Sequence, residues 1–111
     1  MDRSQRAARA KVVGRIIRAV RKHRGQLQEP VALAGGIKRE ELSMVENGHH
    51  RLSRPPMRQS VAQCMRVPVA VIDALMSEDP LPVGGAADAF SVPVSVIAAA
   101  VEAPAQEAVS P

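Results

Sequence analysis

The sequence puts two charged residues on the apolar sides of two predicted helices, and this pair constrains the fold more than any other feature. Arg21 follows a run of apolar residues at the 3.6-residue period of a helix, namely Val13, Ile16, Ile17 and Val20. Glu46 follows Leu42 and Val45 in the same way, near a helix C-terminus where a negative charge opposes the helix dipole. A buried charge needs a partner, so we predict that Arg21 and Glu46 meet as a bidentate ion pair.

The apolar residues available favour a small helical domain. Phe90 is the single Phe, Tyr or Trp among 111 residues, so a core must be built from Val, Ile, Leu, Met and Ala. Such a core suits packed helices better than a large pocket lined with rings. The lack of Tyr and Trp also argues against a platform that stacks unpaired bases, as single-strand and RNA binders use.

Charge is divided between the two halves of the chain. All fifteen Lys and Arg residues lie between Arg3 and Arg66, whereas residues 67–111 hold six of the eleven acids and no base. A surface that only keeps a protein in solution does not require this segregation. The basic half therefore predicts contact with a polyanion, and the acidic, Ala- and Val-rich half predicts contact with protein.

Several other classes of site are not favoured. The single cysteine, Cys64, excludes an internal disulfide and a cysteine metal cluster, and its helical spacing predicts a buried thiol. Metal binding by His49 and His50 with Cys64 matches no known ligand spacing, and no Ser/His/acid set or Gly-rich phosphate loop indicates an enzyme. We therefore predict no metal, no cofactor and no catalysis. No signal peptide or membrane span is visible, which predicts a protein of the reducing cytoplasm.

Periodicity and turn residues divide the chain into five segments. They predict a flexible basic arm over 1–10, a helical domain over 11–76, a linker over 77–85, a C-terminal helical segment over 86–101 and a disordered tail over 102–111. In the C-terminal segment, one short helix is predicted over residues 93–101. A weak repeat is also present, because VPVAVIDAL at 67–75 returns as VPVSVIAAA at 92–100. Duplication and chance both remain open, since Ala and Val are common in this chain.

The stretch LQEPVALAGGIKREELSMVENG, residues 27–48, predicts two short helices joined by a turn that contains Gly. Together with VGRIIRAVRKHRG before it and VAQCMRVPVAVIDAL after it, it gives residues 13–75 a resemblance to the phage-repressor and Cro type of helix-turn-helix regulator, the Xre family. Residues that stand at the family spacing are Gln28, Ala32, Gly36, Ser43 and the Glu-Asn-Gly of 46–48. The resemblance implies an all-α fold, a five-helix helix-turn-helix bundle of the phage-repressor/Cro type with a short C-terminal helical extension.

The resemblance also implies the residues of a DNA interface. The helix over 38–46 would lie in the major groove, with Arg39, Glu40 and Met44 facing the bases. The residues implied to face phosphates are Gln28, Lys38, Asn47, His49, His50 and Arg51. The chemistry agrees independently, because Arg can bind guanine bidentately, Glu can accept from cytosine and Met can pack on the thymine methyl group. An Arg21–Glu46 pair is a family feature as well.

The chain departs from the family pattern at the helix starts. Leu27 and Lys38 stand where a capping Ser or Thr is usual, so both motif helices are expected to lack a side-chain N-cap. Two adjacent acids, Glu40 and Glu41, stand at the start of the helix expected to face DNA. An unpaired carboxylate there would repel phosphate.

We expect a sequence-specific transcriptional regulator that binds double-stranded DNA, and repression is favoured because it needs only occupancy of a promoter. The alternative is a protein-interaction module on the same fold, such as an antitoxin or a subunit of a larger complex, favoured by the uncapped motif and the apolar, acidic C-terminal third. Val94, Ile97 and Val101 lie at helical spacing and need a surface, either on the fifth helix or on a second chain. Because this motif usually reads two half-sites, we predict a homodimer through residues 67–101.

Overall fold

The structure is a computed structural model that describes residues 1–103. Of the tail predicted over 102–111, residues 104–111 lie outside the described residues. Within residues 1–103 every regular element is helical, which confirms the all-α class. The elements, in chain order, are α1 Arg3–His23, α2 Gln28–Ala34, α3 Arg39–Glu46, a 3₁₀ helix His50–Ser53, α4 Pro55–Met65, α5 Val69–Ser77, α6 Val83–Phe90 and α7 Val94–Glu102. None of these helices has the combination of length and apolar sequence that a membrane crossing needs.

Helix α1 begins at the third residue because its first turn is capped from both sides. The Asp2 carboxylate accepts from the backbone N–H of Gln5, and the Gln5 side chain accepts from the backbone N–H of Asp2, each at 2.8 Å. This capping box satisfies N–H groups that a helix start otherwise leaves without partners. The flexible arm predicted for residues 1–10 is therefore corrected to the first turns of a 21-residue helix.

Helix α1 lies at the centre of the fold, and α3 crosses it at short range. The predicted apolar stripe of α1 is fully buried, and Leu42 and Val45 of α3 are buried with it. The two helices cross at Gly14, where a Cβ atom would collide with the backbone carbonyl oxygen of Val45. A larger residue would push the helices apart, so this glycine sets their spacing.

The linker predicted for residues 77–85 is shorter in the structure, and a separate helix, α6, follows it. Helix α5 continues through Ser77, and α6 begins at Val83. Two adjacent glycines early in α6 favour a loop, because glycine weakens a helix. Burial of Ala87 and Phe90 one turn later offsets that preference. The predicted C-terminal segment thus contains two helices, not one.

The sequence repeat corresponds to two corners with the same backbone geometry, one between α4 and α5 and one between α6 and α7. Arg66 and Ser91 each end a helix in the left-handed conformation, with φ of 59° and 58°. The buried valine that follows, Val67 or Val92, donates its backbone N–H to the carbonyl five residues earlier at 3.0 Å. A proline then stands at the N-cap of the next helix in both corners. The shared Val-Pro-Val sequence follows from this corner, because the valine is buried and the proline cannot continue the first helix.

Three arginines bind carbonyl groups at the C-terminal ends of the later helices. Arg9 donates to the end of α5, Arg15 to the end of α7, and Arg24, just after α1, to the ends of both α4 and α6. The distances from guanidinium nitrogen to carbonyl oxygen are 2.8 Å to Leu75, 2.9 Å to Ala100, 2.8 Å to Met65 and 2.9 Å to Phe90. Positive charge is favourable at a helix C-terminus, where carbonyls have no partner in the helix. Part of the basic charge of the first half therefore holds the second half in place.

Helix α7 packs mainly on α1 and α6 of the same chain. Ile97 is fully buried and Ala100 is nearly so, while Val94 at the start of the helix remains 53% exposed. The apolar stripe that led to the dimer prediction is thus largely covered within the chain. Its cover is α1 and α6, not the fifth helix considered in the sequence analysis.

Candidate nucleic-acid interface

The structure brings Arg21 and Glu46 together in the bidentate geometry expected from their positions. Arg21 Nε lies 2.7 Å from Glu46 Oε2, and Arg21 Nη2 lies 3.0 Å from Glu46 Oε1. Both side chains are almost fully buried, with 8% and 2% of their surface exposed. The pair joins the end of α1 to the end of α3 and so fixes where α3 lies. Removal of either member leaves an uncompensated buried charge.

Glu46 also holds the start of α2, through Gln28. Gln28 Nε2 donates to Glu46 Oε1 at 3.0 Å, and Arg21 Nη1 donates to the backbone oxygen of Gln26 at 2.8 Å. Glu46 therefore accepts three hydrogen bonds from two side chains. This network holds α2 and α3, the two helices of the predicted motif, in one fixed relation.

The Gln28 amide also reaches Arg39 at the exposed start of α3. Gln28 Oε1 lies 3.5 Å from Arg39 Nη1, which is a long hydrogen bond. Because Gln28 Nε2 is bonded to Glu46, the amide oxygen is directed towards Arg39. The prediction for Gln28 is a phosphate contact; in the structure its amide has protein partners on both sides, with one N–H left for another. Gln28 thus links the buried pair to Arg39.

Helix α3 directs outward the side that is predicted to face bases. Arg39 and Glu40 have 50% and 68% of their side chains exposed, and Met44 is half-buried. Leu42 and Val45, on the opposite side, are fully buried. Arg39 Nη2 lies 3.8 Å from Glu40 Oε1, a loose exposed contact that contributes little to stability. Both side chains are therefore available to a ligand.

The second acid at the start of α3, Glu41, serves as a cap. Neither Leu27 nor Lys38 caps its helix with a side chain, as their positions in the sequence predict. Glu41 Oε1 instead accepts from the backbone N–H of Lys38 at 2.9 Å, which is half of a capping box. Glu41 Oε2 lies 3.9 Å from Arg51 Nη1. Glu41 is thus directed towards the protein, and Glu40 is the acid left on the outer face.

The segment after α3 forms a basic groove beside Met44. The groove has a volume of about 320 Å³ and is lined by Met44, His49, Arg51, Ser53 and Arg54. It therefore brings together residues predicted to face bases and residues predicted to face phosphates. Arg54 is an addition that the sequence analysis missed. The sequence feature that could have indicated Arg54 is its position at the end of the basic loop, just before the two prolines that begin α4.

The remaining predicted residues lie at the end of α3. Asn47 follows the last turn, is exposed, and has its Nδ2 group 3.5 Å from Ser43 Oγ. Gly48 then adopts a φ of 85°, close against Lys11 of α1. His50 begins the 3₁₀ helix, and its side chain lies outside the described part of the structure.

Cys64 is buried beneath α2, and its predicted burial is thus confirmed. Its Sγ atom lies 3.9 Å from the carbonyl oxygen of Ala32. A Cβ atom at Gly35 would collide with this sulfur, so α2 and α4 approach closely here. Burial raises the pKa of the Cys64 thiol to about 11. Among the side chains described for residues 1–103, which do not include that of His50, no group of three or more His, Cys, Asp or Glu could hold a metal ion.

Predicted interface residues thus meet at both ends of α3. Gln28 and Arg39 lie at its start, connected to the buried ion pair, while Met44, His49 and Arg51 share the groove near its end. No family model matches the chain, and neither does any curated protein or solved structure.

Proposed function

We propose that this chain is a sequence-specific regulator of transcription that binds double-stranded DNA in the cytoplasm. In this proposal, α1–α5 form a helix-turn-helix bundle of the phage-repressor/Cro type, and α6–α7 extend it. The observation that carries the proposal is the network of Arg21, Glu46 and Gln28, which holds α2 and α3 together and ends on the exposed Arg39. A binding residue supported in this way by buried neighbours is suited to precise recognition.

In the proposed complex, α3 lies in the major groove of the duplex. Arg39 offers two parallel donors to guanine, Glu40 accepts from the cytosine amino group, and Met44 packs on the methyl group of thymine. Gln28 Oε1, 3.5 Å from Arg39 Nη1, is placed to accept from the guanidinium group while Arg39 binds a base. The readout of one G·C base pair is therefore assigned to Arg39.

Phosphate contacts are proposed on both sides of α3. Lys38 precedes the helix, and Asn47, His49 and Arg51 follow it, all with exposed or half-exposed side chains. Such contacts fix the register of a protein on a duplex but carry no sequence information directly. Gln28 changes from a predicted phosphate ligand to a positioning residue, with one N–H still available to a phosphate.

We infer a homodimer on two half-sites, with repression as the mode of action because it requires only occupancy of DNA. Two apolar features are available for the dimer: Val94 at the start of α7, and a groove of about 330 Å³ between α5 and α6. Ile97 does not contribute, since it is buried within the chain. Sedimentation should show a concentration-dependent dimer that Val94→Glu weakens; a monomer at every concentration would remove this part of the proposal.

A protein-interaction module is the second candidate, and one observation favours it. Leu27 and Leu33, at the two ends of α2, are 74% and 76% exposed. Large apolar side chains this exposed are available to a protein partner, such as a toxin or a larger assembly. This candidate predicts no dependence of function on duplex sequence.

Selection of bound fragments from a random pool of duplexes tests the proposed function. The enriched site should bind at least ~10³-fold more tightly than a scrambled duplex. If a dimer neutralises ~6–10 phosphates, the log–log slope of affinity against salt should be about −5 to −9. No enrichment, with a slope near zero, would contradict DNA binding and favour the protein-interaction module.

A further inference from the structure

Two further grooves adjoin the groove that follows α3, and both reach the first turns of α1. One, of about 580 Å³, is lined by Arg6, Ser53, Arg58, Asp73, Met76 and Ser77. The other, of about 430 Å³, is lined by Arg3, Arg6, Ala7, Ala10 and Ser53. Ser53 lines all three grooves, so they adjoin one another from Met44 in α3 to Arg3 in α1. We call this surface the Ser53 groove.

The charged residues that line the Ser53 groove are predominantly basic. They are Arg3, Arg6, Arg51, Arg54 and Arg58, with His49 at one end and a single acid, Asp73. The Asp73 carboxylate is bound to Arg58 Nε at 2.7 Å, so its charge is already balanced. Arg58 also donates to the backbone oxygen of Leu52 at 3.0 Å and is thereby fixed in the wall. Arg51 Nη1 lies 3.9 Å from Glu41 Oε2, so the excess positive charge belongs to Arg3, Arg6 and Arg54.

The arginines at the α1 end of the groove lie on an ordered helix. The capping box of Asp2 and Gln5 begins α1 before Arg3, and Arg6 Nη1 donates to the backbone oxygen of Met1 at 2.8 Å. Arg3 and Arg6 are three residues apart, so they lie on the same side of the helix. Donors held in this way lose less conformational entropy on binding than donors on a flexible arm.

We propose that the Ser53 groove binds the phosphate backbone of the same DNA duplex whose major groove receives α3. The proposal rests on the proposed function and adds Arg3, Arg6 and Arg54 to the interface. Met44 belongs both to the outer face of α3 and to the wall of the groove, so a duplex on α3 has backbone beside the groove. None of the lining residues is Phe, Tyr or Trp, which suits phosphates better than unpaired bases.

Two double variants of the full chain with equal net charge test the proposal. Arg3→Ala/Arg6→Ala removes two charges from the groove, and Lys22→Ala/Arg66→Asn removes two charges that line none of its three parts. Asparagine is chosen at position 66 because it tolerates the left-handed backbone there. Circular dichroism checks that both variants fold. The affinity for the selected duplex is then measured across a range of salt concentrations.

The groove variant should show a salt slope shallower by about 3–4 and an affinity at least about ten-fold weaker at 0.1 M salt, because the proposed dimer loses two phosphate contacts from each chain and each contact contributes about 0.9 to the slope. The control variant should change much less.

Equal losses in both variants would overturn the proposal, since net charge alone would explain them, and so would unchanged binding by the groove variant. A wild-type chain that binds no duplex overturns the proposed function together with the groove. Binding of single-stranded RNA is measured for the same variants. If the groove variant loses RNA binding but keeps duplex binding, the groove binds a different polyanion and the proposal is overturned.

Discussion

Helices α3 and α7 both pack on α1, but different interactions hold them there. Helix α3 is joined by the buried Arg21–Glu46 pair and crosses α1 at a glycine. Helix α7 buries Ile97 and accepts hydrogen bonds from Arg15 at its last turn. A buried ion pair is sensitive to the loss of one member, whereas apolar packing with polar contacts at its edge loses stability in proportion to the atoms removed. The comparison shows that a polar network positions the exposed α3, and apolar burial positions α7.

The largest effect should come from breaking the attachment of α3. Arg21→Ala leaves the Glu46 carboxylate buried without its main partner, so the free energy of unfolding should fall by about 3–5 kcal/mol. Urea unfolding followed by circular dichroism measures the change. An unchanged midpoint would show that the pair is not buried in solution.

A double variant separates the pair's contribution to stability from its role in positioning. Arg21→Met/Glu46→Leu replaces both charges by apolar groups of similar size, and such replacements are often neutral or stabilising. We expect this variant to recover most of the stability lost in Arg21→Ala. Its specificity for a selected duplex should nevertheless decrease, because Gln28 loses the carboxylate that orients it. Full specificity in the double variant would show that the network does not position Arg39.

The attachment of α7 should give a smaller effect that depends on burial. Ile97→Ala removes a fully buried side chain and should lower the free energy of unfolding by about 2–4 kcal/mol. Ser95→Ala on the same helix is the matched control, because Ser95 is exposed and lies outside the proposed dimer surface. The control should change stability by less than about 0.5 kcal/mol. Similar losses in both variants would place α7 elsewhere than on α1 and α6.

The arginine contacts with helix ends should give the smallest effect on stability. Arg24 donates to the ends of both α4 and α6. Its pKa is lowered, mainly by burial and to a lesser extent by the nearby positive charge of Arg66. Arg24→Met keeps the apolar stem but leaves both carbonyls without this donor, which should destabilise the fold by about 1–2 kcal/mol. Lys22→Met, at an exposed position of α1, serves as the control and should be close to neutral. Equal melting temperatures for both variants would show that Arg24 does not hold the two corners.

A long-range polar contact could be predicted from sequence where two charged residues stood at positions that the helical period reserves for apolar residues. Arg21 and Glu46 stood on apolar helix faces, so each implied the other. Arg9, Arg15 and Arg24 violated no pattern, because arginine at the exposed edge of a helix is ordinary. Their carbonyl partners lie 41 to 86 residues away in the chain and became visible only in the structure. The concentration of Lys and Arg in the first half therefore suggested a larger basic surface for a polyanion than the structure leaves, because these three arginines bind carbonyl groups of the protein itself.

Local signals failed where burial or capping outweighed composition. The polar, basic start of the chain suggested an arm, but the reciprocal bonds of Asp2 and Gln5 begin a helix there. The glycines of α6 suggested a linker, but burial of Phe90 stabilises the helix. The exposed residues of α3 could be predicted, because its apolar period is clear. The role of Gln28 could not, since it depends on which way its amide is oriented by Glu46.

We propose that the network of Arg21, Glu46 and Gln28 positions Arg39 to read a base pair, and a specificity profile tests this role of Arg39 most directly. Wild type and Arg39→Ala are compared on the selected duplex and on every single base-pair substitution of it. We expect Arg39→Ala to lose discrimination at one G·C position in each half-site, by about 10–100-fold, while discrimination elsewhere is kept. A uniform loss at all positions, or an unchanged profile, would contradict the claim.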